Sequence, residues 1–103
     1  MKLIRELEEY ISDEIGDIKK YAKMAAAVKE EYPALAQVLY NISTQEDGHQ
    51  AALHNEVVNI IAEYRKKHGD PPASMLAVYD FLHKQSIDKL AEARMYQDVY
   101  KKL

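Results

Sequence analysis

Glu46 and His49 stand three residues apart in the run Ser43-Thr44-Gln45-Glu46-Asp47-Gly48-His49. On a helix, residues at that spacing project from one face. Steps of three, four and seven through them give Leu35, Leu39, Ile42, Glu46, His49, Leu53, Ile60 and Tyr64, so a carboxylate and an imidazole interrupt an apolar seam. Buried without partners, such groups would cost several kcal/mol. A bound cation offsets that cost, and carboxylate with imidazole in the absence of thiolate suits iron, manganese or zinc.

A third residue joins them. The seam Ile4, Leu7, Ile11, Glu14, Ile18, Tyr21, Ala25 and Val28 contains one charged side chain, Glu14. Glu14 lies 18 residues before Tyr32 and His49 lies 17 after it. If the chain reverses near Tyr32, two antiparallel helices rising ~1.5 Å per residue bring Glu14 within about a turn of Glu46 and His49.

The elements that must do this positioning are marked by proline and glycine, three of each in 103 residues. A first helix is predicted from residue 3 to about 30, closed by Glu30-Glu31-Tyr32-Pro33, with Pro33 suited to open the next helix. The second runs from about 33 to 67 and ends at Lys66-Lys67-His68-Gly69, a basic last turn followed by a helix-ending glycine. His68 is read as a cap of that helix end. Asp70-Pro71-Pro72 offers an N-cap and prolines for a third helix from about 72 to 102. No stretch has the pattern of a strand. The expectation is an all-α protein: one domain over residues 1–103, three long helices joined by short turns.

Composition excludes several function classes. A net charge of -3 leaves no basic footprint for nucleic acid. Cysteine is absent, which removes disulfides, zinc fingers and iron-sulfur clusters and fits a reducing cytoplasm. No apolar run approaches the ~20 residues of a membrane span, so no membrane partner is expected. There is no glycine-rich phosphate loop and no recognisable nucleophile setting.

Glu14 and the Glu46-Asp47-Gly48-His49 motif together resemble the ferritin-like di-iron family of ferritins, rubrerythrins and their half-sized relatives. In that family one half supplies a Glu from its first helix and a Glu-x-x-His from its second. The run Glu14-Ile15-Gly16-Asp17-Ile18-Lys19-Lys20-Tyr21 is similar to the first helix of rubrerythrins, with Tyr seven residues after Glu. The resemblance covers residues 10 to about 60. It implies a non-haem iron site (Fe2+/Fe3+) with Glu46 bridging and Glu14 and His49 terminal. It also implies oxidation of ferrous iron by dioxygen or peroxide, an oxidoreductase activity.

The chain departs from the family in having one helix, rather than a crossover and two helices, after the hairpin. Half a site is present, as in the encapsulated ferritins, and two chains would supply four Glu and two His. A homodimer or higher homo-oligomer is therefore expected. The third helix presents Tyr79, Leu82, Leu90, Ala93 and Tyr100 on one side and Phe81, Asp88, Glu92, Met95 and Val99 on another, which suggests contact with both its own hairpin and a partner chain. Reflection about Asp70 places Glu92 level with residue 48 and Asp88 about a turn away, making either a candidate further ligand, against the plainer reading as a solvated face. His54 and His83 have no partner spacing and are read as surface or core residues, and Tyr21 alone among the tyrosines is placed near the site. The competing reading is a metal-free helical oligomerisation or interaction module that keeps the ferritin-like shape.

Overall fold

The computed structural model describes residues 1–103 as three α-helices and no strand: α1 (Lys2–Val28), α2 (Pro33–His68) and α3 (Ala73–Lys102). The all-α architecture of three long helices is as the sequence predicts. At ~1.5 Å per residue α2 alone spans roughly 54 Å, close to the 56 Å long dimension of a molecule only 19 by 18 Å across. The protein is a rod one hairpin long.

Local chemistry sets the helix ends. Pro33 opens α2, where its fixed φ is pre-organised and its missing N–H costs nothing, and the Tyr32 carbonyl accepts from Ala36 at 2.9 Å. Gly69 ends α2 at φ 77°, a conformation that strains side chains bearing a Cβ, and its N–H donates to the Arg65 carbonyl at 3.0 Å. His68 is the last helical residue and lies against the Tyr64 ring, with centroids 5.0 Å apart. Asp70 does not cap α3. Pro72 occupies the cap position with ψ 144°, and the exposed Asp70 carboxylate lies 3.6 Å from Arg65 Nε instead. The two prolines hold the backbone extended beyond Asp70, which carries the first turn of α3 out of its reach.

Helix α1 lies in the groove between α2 and α3, which scarcely meet backbone to backbone. Its buried stripe is Ile4, Glu8, Ile11, Ile15, Ile18, Ala22 and Ala25. That stripe sits one position around from part of the predicted seam, because a helix touching two neighbours buries the sector between them. Leu7, Glu14, Tyr21 and Val28 fall at its edge, only partly buried. One core cluster joins Ile4, Ile11, Ile15 and Ile18 to Val57 and Ala93; another, towards the Tyr32 turn, joins Ala25, Ala36, Leu39 and Tyr100.

Buried polar ties fix the rotation of the helices about their axes. The Ser43 hydroxyl, fully buried, donates to the Ile18 carbonyl at 2.8 Å and accepts from Gln97 Nε2 at 3.0 Å, so one side chain links all three helices. Ser43→Ala is expected to destabilise the protein by about 1–3 kcal/mol, the cost of leaving a buried amide unpaired. Urea denaturation would read this directly, and an unchanged midpoint would show that Gln97 finds another acceptor.

Candidate metal centre

Glu14 on α1 and Glu46 and His49 on α2 meet in the outer groove of the α1/α2 hairpin. His49 Nδ1 lies 3.5 Å from Glu14 Oε2 and 3.7 Å from Glu46 Oε2. One ligand atom from each residue falls within 4.8 Å of the others. Donors bound to one ion at ~2.0–2.2 Å stand roughly 3–4 Å apart, so the three groups are close to a coordinating arrangement before any ion arrives.

Rotation of α2 is what aims Glu46 and His49 at α1. Asp47 faces the other way, where Arg94 of α3 grips it in a two-point contact of 2.9 and 3.0 Å, and Gln50 Nε2 donates to the same carboxylate at 3.0 Å. Arg94 holds the Asp47 carboxyl below the ordinary carboxylate range, the larger influence against the opposing effect of burial. Ser43, one turn before Glu46, pins α2 to the Ile18 carbonyl. With Asp47 drawn towards α3 and Ser43 towards α1, Glu46 has one direction left.

The electrostatics of the site are unfinished. The Glu46 carboxylate beside it, then burial, push Glu14 above the ordinary carboxylate range, while His49 pulls the other way. Glu14 Oε2 is buried and makes no hydrogen bond, although His49 Nδ1 stands 3.5 Å away. Two carboxylates this close favour a shared proton or a cation between them. Iron, manganese or zinc would each satisfy the orphaned oxygen with the donors present.

Burial of the site is shallower than the seam implies. The side chains of Glu14 and Glu46 are 28% and 19% exposed, and that of His49 is 61% exposed. The apolar seam through Leu35 and His49 is a boundary face of α2, whose buried positions are Ala36, Leu39, Ser43, Gln50 and Val57. The outer half of the coordination sphere therefore opens to solvent in the single chain.

Glu92 does not join the cluster. It stands at the predicted level, but on the face of α3 that meets α1, where its carboxylate takes Lys19 Nζ at 2.7 Å. Asp88 is exposed and stands apart from the three-residue cluster. Tyr21 packs with the Ala25 and Leu39 core, under Lys20 Nζ at 4.9 Å from its ring.

A second polar group lies outside the predicted set. Glu8 is 3% exposed, and its Oε1 has no partner. Across from it, His54 of α2 and His83 of α3 stack with centroids 4.8 Å apart, and Tyr79 stacks on His83 at 5.6 Å. Burial pushes Glu8 above the ordinary carboxylate range against the opposing pull of His83; burial, then His83, holds His54 below the imidazole range. The two histidines do have a partner spacing. His54 lies 15 residues before Gly69 and His83 lies 14 after it, so reflection about that turn brings them level.

Comparison with known proteins places the chain. The family model described as Rubrerythrin matches residues 6–102. No match was found among curated proteins or among solved structures. With nearly its whole length matched, three helices and a Glu, Glu, His cluster at the expected level, the chain belongs to the rubrerythrin family of the ferritin-like di-iron carboxylate superfamily.

Proposed function

We propose that the protein binds iron through Glu14, Glu46 and His49, that two chains complete a dinuclear centre, and that this centre oxidises ferrous iron with dioxygen or peroxide. The observation that carries the reading is the convergence of three ligand atoms within 4.8 Å around a buried, unpartnered carboxylate oxygen. Family membership supports iron over manganese or zinc, which the donor types alone would also accept.

Two chains are favoured because one chain supplies too few donors for two ions and leaves His49 open. Exposed apolar residues continue along the same two helices. Leu3, Tyr10 and Met24 on α1, and Leu35 and Val38 on α2, are all exposed. At ~3.6 residues per turn Leu3, Tyr10, Leu35 and Val38 fall within about 40° of Glu14 or His49, on the face that carries the site. Met24 lies about 80° from Glu14, at the edge of that face. A second hairpin laid on this face would bury them and bring two Glu14, Glu46, His49 sets together. No helix is long and apolar enough to cross a membrane.

In this reading two ferrous ions supply the two electrons that reduce dioxygen to hydrogen peroxide, or peroxide to water. The family resemblance makes Glu46 the bridging candidate, with Glu14 and His49 as terminal ligands. Oxygen consumption after addition of ferrous iron tests the activity. Wild type is expected to consume dioxygen well above the rate of iron in buffer, and His49→Ala to fall to that background. Equal rates for the two proteins would remove the oxidase function.

A further inference from the structure

Glu8 is the most deeply buried acid in the protein, and its Oε1 meets no donor. Buried polar atoms almost always have a partner, so an exception calls for a missing ligand or a structural reason. Packing alone does not supply the reason. The position lies in the apolar stripe between Ile4 and Ile11, where an aliphatic side chain would fill the space without a desolvated oxygen. Protonation of Glu8 on its other oxygen would remove the charge but would still leave Oε1 without a donor.

What faces Glu8 is a groove-like cavity of about 230 Å³ between α2 and α3, floored by α1. Two imidazoles line it, His54 from α2 and His83 from α3. Their rings are nearly parallel, 13° apart, with centroids 4.8 Å apart. Arg94 also reaches this cavity, but its guanidinium is engaged by Asp47. Each helix thus contributes one group, and the three are a carboxylate and two imidazoles.

We infer that Glu8, His54 and His83 form a second metal site, one ligand from each helix, for a divalent first-row ion of the zinc or ferrous type. Two imidazole nitrogens and one carboxylate oxygen match the preferences of those ions, with water free to fill the remaining positions. Stacked rings cannot both aim a nitrogen at one ion. Binding therefore turns each ring about its Cβ–Cγ bond, out of the stack and towards Glu8, into the open space of the cavity. The ion would tie α2 to α3, which are otherwise joined by side-chain bonds such as Arg94 to Asp47 and Gln97 to Ser43.

This site is separate from the one proposed for iron oxidation. Glu8 precedes Glu14 by six residues, a rise of ~9 Å along α1, and it faces the α2/α3 groove rather than the outer α1/α2 groove. Neither site depends on the other for its ligands. Failure of one leaves the other standing.

Zinc titration by calorimetry on the Glu14→Ala, Glu46→Ala, His49→Ala protein isolates the second site. The expected result is about one zinc per chain, abolished by adding His54→Gln and His83→Gln. Glu8→Gln should weaken binding at least about tenfold, since even the hydrogen-bond partners of metal ligands are worth roughly 10–100-fold. Circular dichroism of each variant guards against loss of fold. Should the histidine variants unfold, X-ray absorption at the zinc edge on the triple variant decides instead, with two imidazole nitrogens expected in the first shell. No zinc bound by the triple variant, binding indifferent to His54 and His83, or a first shell without two imidazoles would each overturn the assignment.

Discussion

Anaerobic ferrous iron at a hundredfold excess over its Kd is expected to raise the Tm of wild type by about 10 °C and to leave that of Glu46→Gln unmoved. Selective binding to the native state at that excess stabilises by about 2.7 kcal/mol, and a domain of ~100 residues shifts by at least ~4 °C per kcal/mol. Glutamine keeps nearly the shape of Glu46 while removing the charge that an ion needs. Without metal the variant is expected to melt at or above wild type. In wild type the Glu46 carboxylate is the chief reason that Glu14 is driven above its ordinary range, and Glu14 Oε2 is buried without a hydrogen bond.

The sign with pH follows. A carboxyl whose folded pKa is raised favours the folded state when protonated, so the Glu14 contribution grows as pH falls and is lost as pH rises through that raised pKa. Glu46→Gln relieves the same repulsion at every pH. The stability gap between variant and wild type should therefore be widest near neutrality and narrow in acid. A structural ion pair among Glu14, Glu46 and His49 predicts the reverse: breaking a buried pair costs roughly 3 kcal/mol, and the variant would melt lower without metal. His49 is too exposed for that outcome, since exposed ion pairs are worth little.

The second large effect concerns association. Wild type is expected to sediment as a dimer or larger, and a Met24→Glu, Val38→Glu variant as a monomer. Both residues are exposed in the single chain, 52% and 54%, so the change should not disturb the fold of the hairpin. Seated between two chains, each new carboxylate would be desolvated without a partner. That costs several kcal/mol, enough to weaken dimerisation by at least about a hundredfold. Iron uptake should weaken with it although Glu14, Glu46 and His49 are untouched. A wild type that stays monomeric at high concentration, or a variant that associates normally, would show that the face is not an interface.

Much of the fold was legible because its punctuation is chemical. Pro33, Gly69 and the Pro71-Pro72 pair each act through backbone geometry, and the helices end within about two residues of where those signals place them. Distance from a turn gave the level of residues correctly: Glu14 meets Glu46 and His49, and Glu92 does lie near the level of residue 48. Rotation about the helix axis was less legible. Apolar periodicity defines a sector but not its centre when a helix packs against two others. Hence the periodicity marks Glu14 but not the deeper Glu8, one position around the stripe. The same ambiguity hides Glu92, whose level is right but whose face belongs to Lys19. His54 and His83 were recoverable by reflection about Gly69, the arithmetic that works at Tyr32.

Ferrous iron titrated anaerobically into purified wild type, beside the Glu14→Ala, Glu46→Ala, His49→Ala variant, addresses the central claim most directly. Iron bound by the wild type is predicted to exceed that bound by the variant by close to one ion per chain, or two per pair, on the strength of three convergent ligand atoms and a buried oxygen that makes no hydrogen bond. Equal iron in the two proteins, bound with equal affinity, would contradict the metal reading and leave the helices as an assembly module.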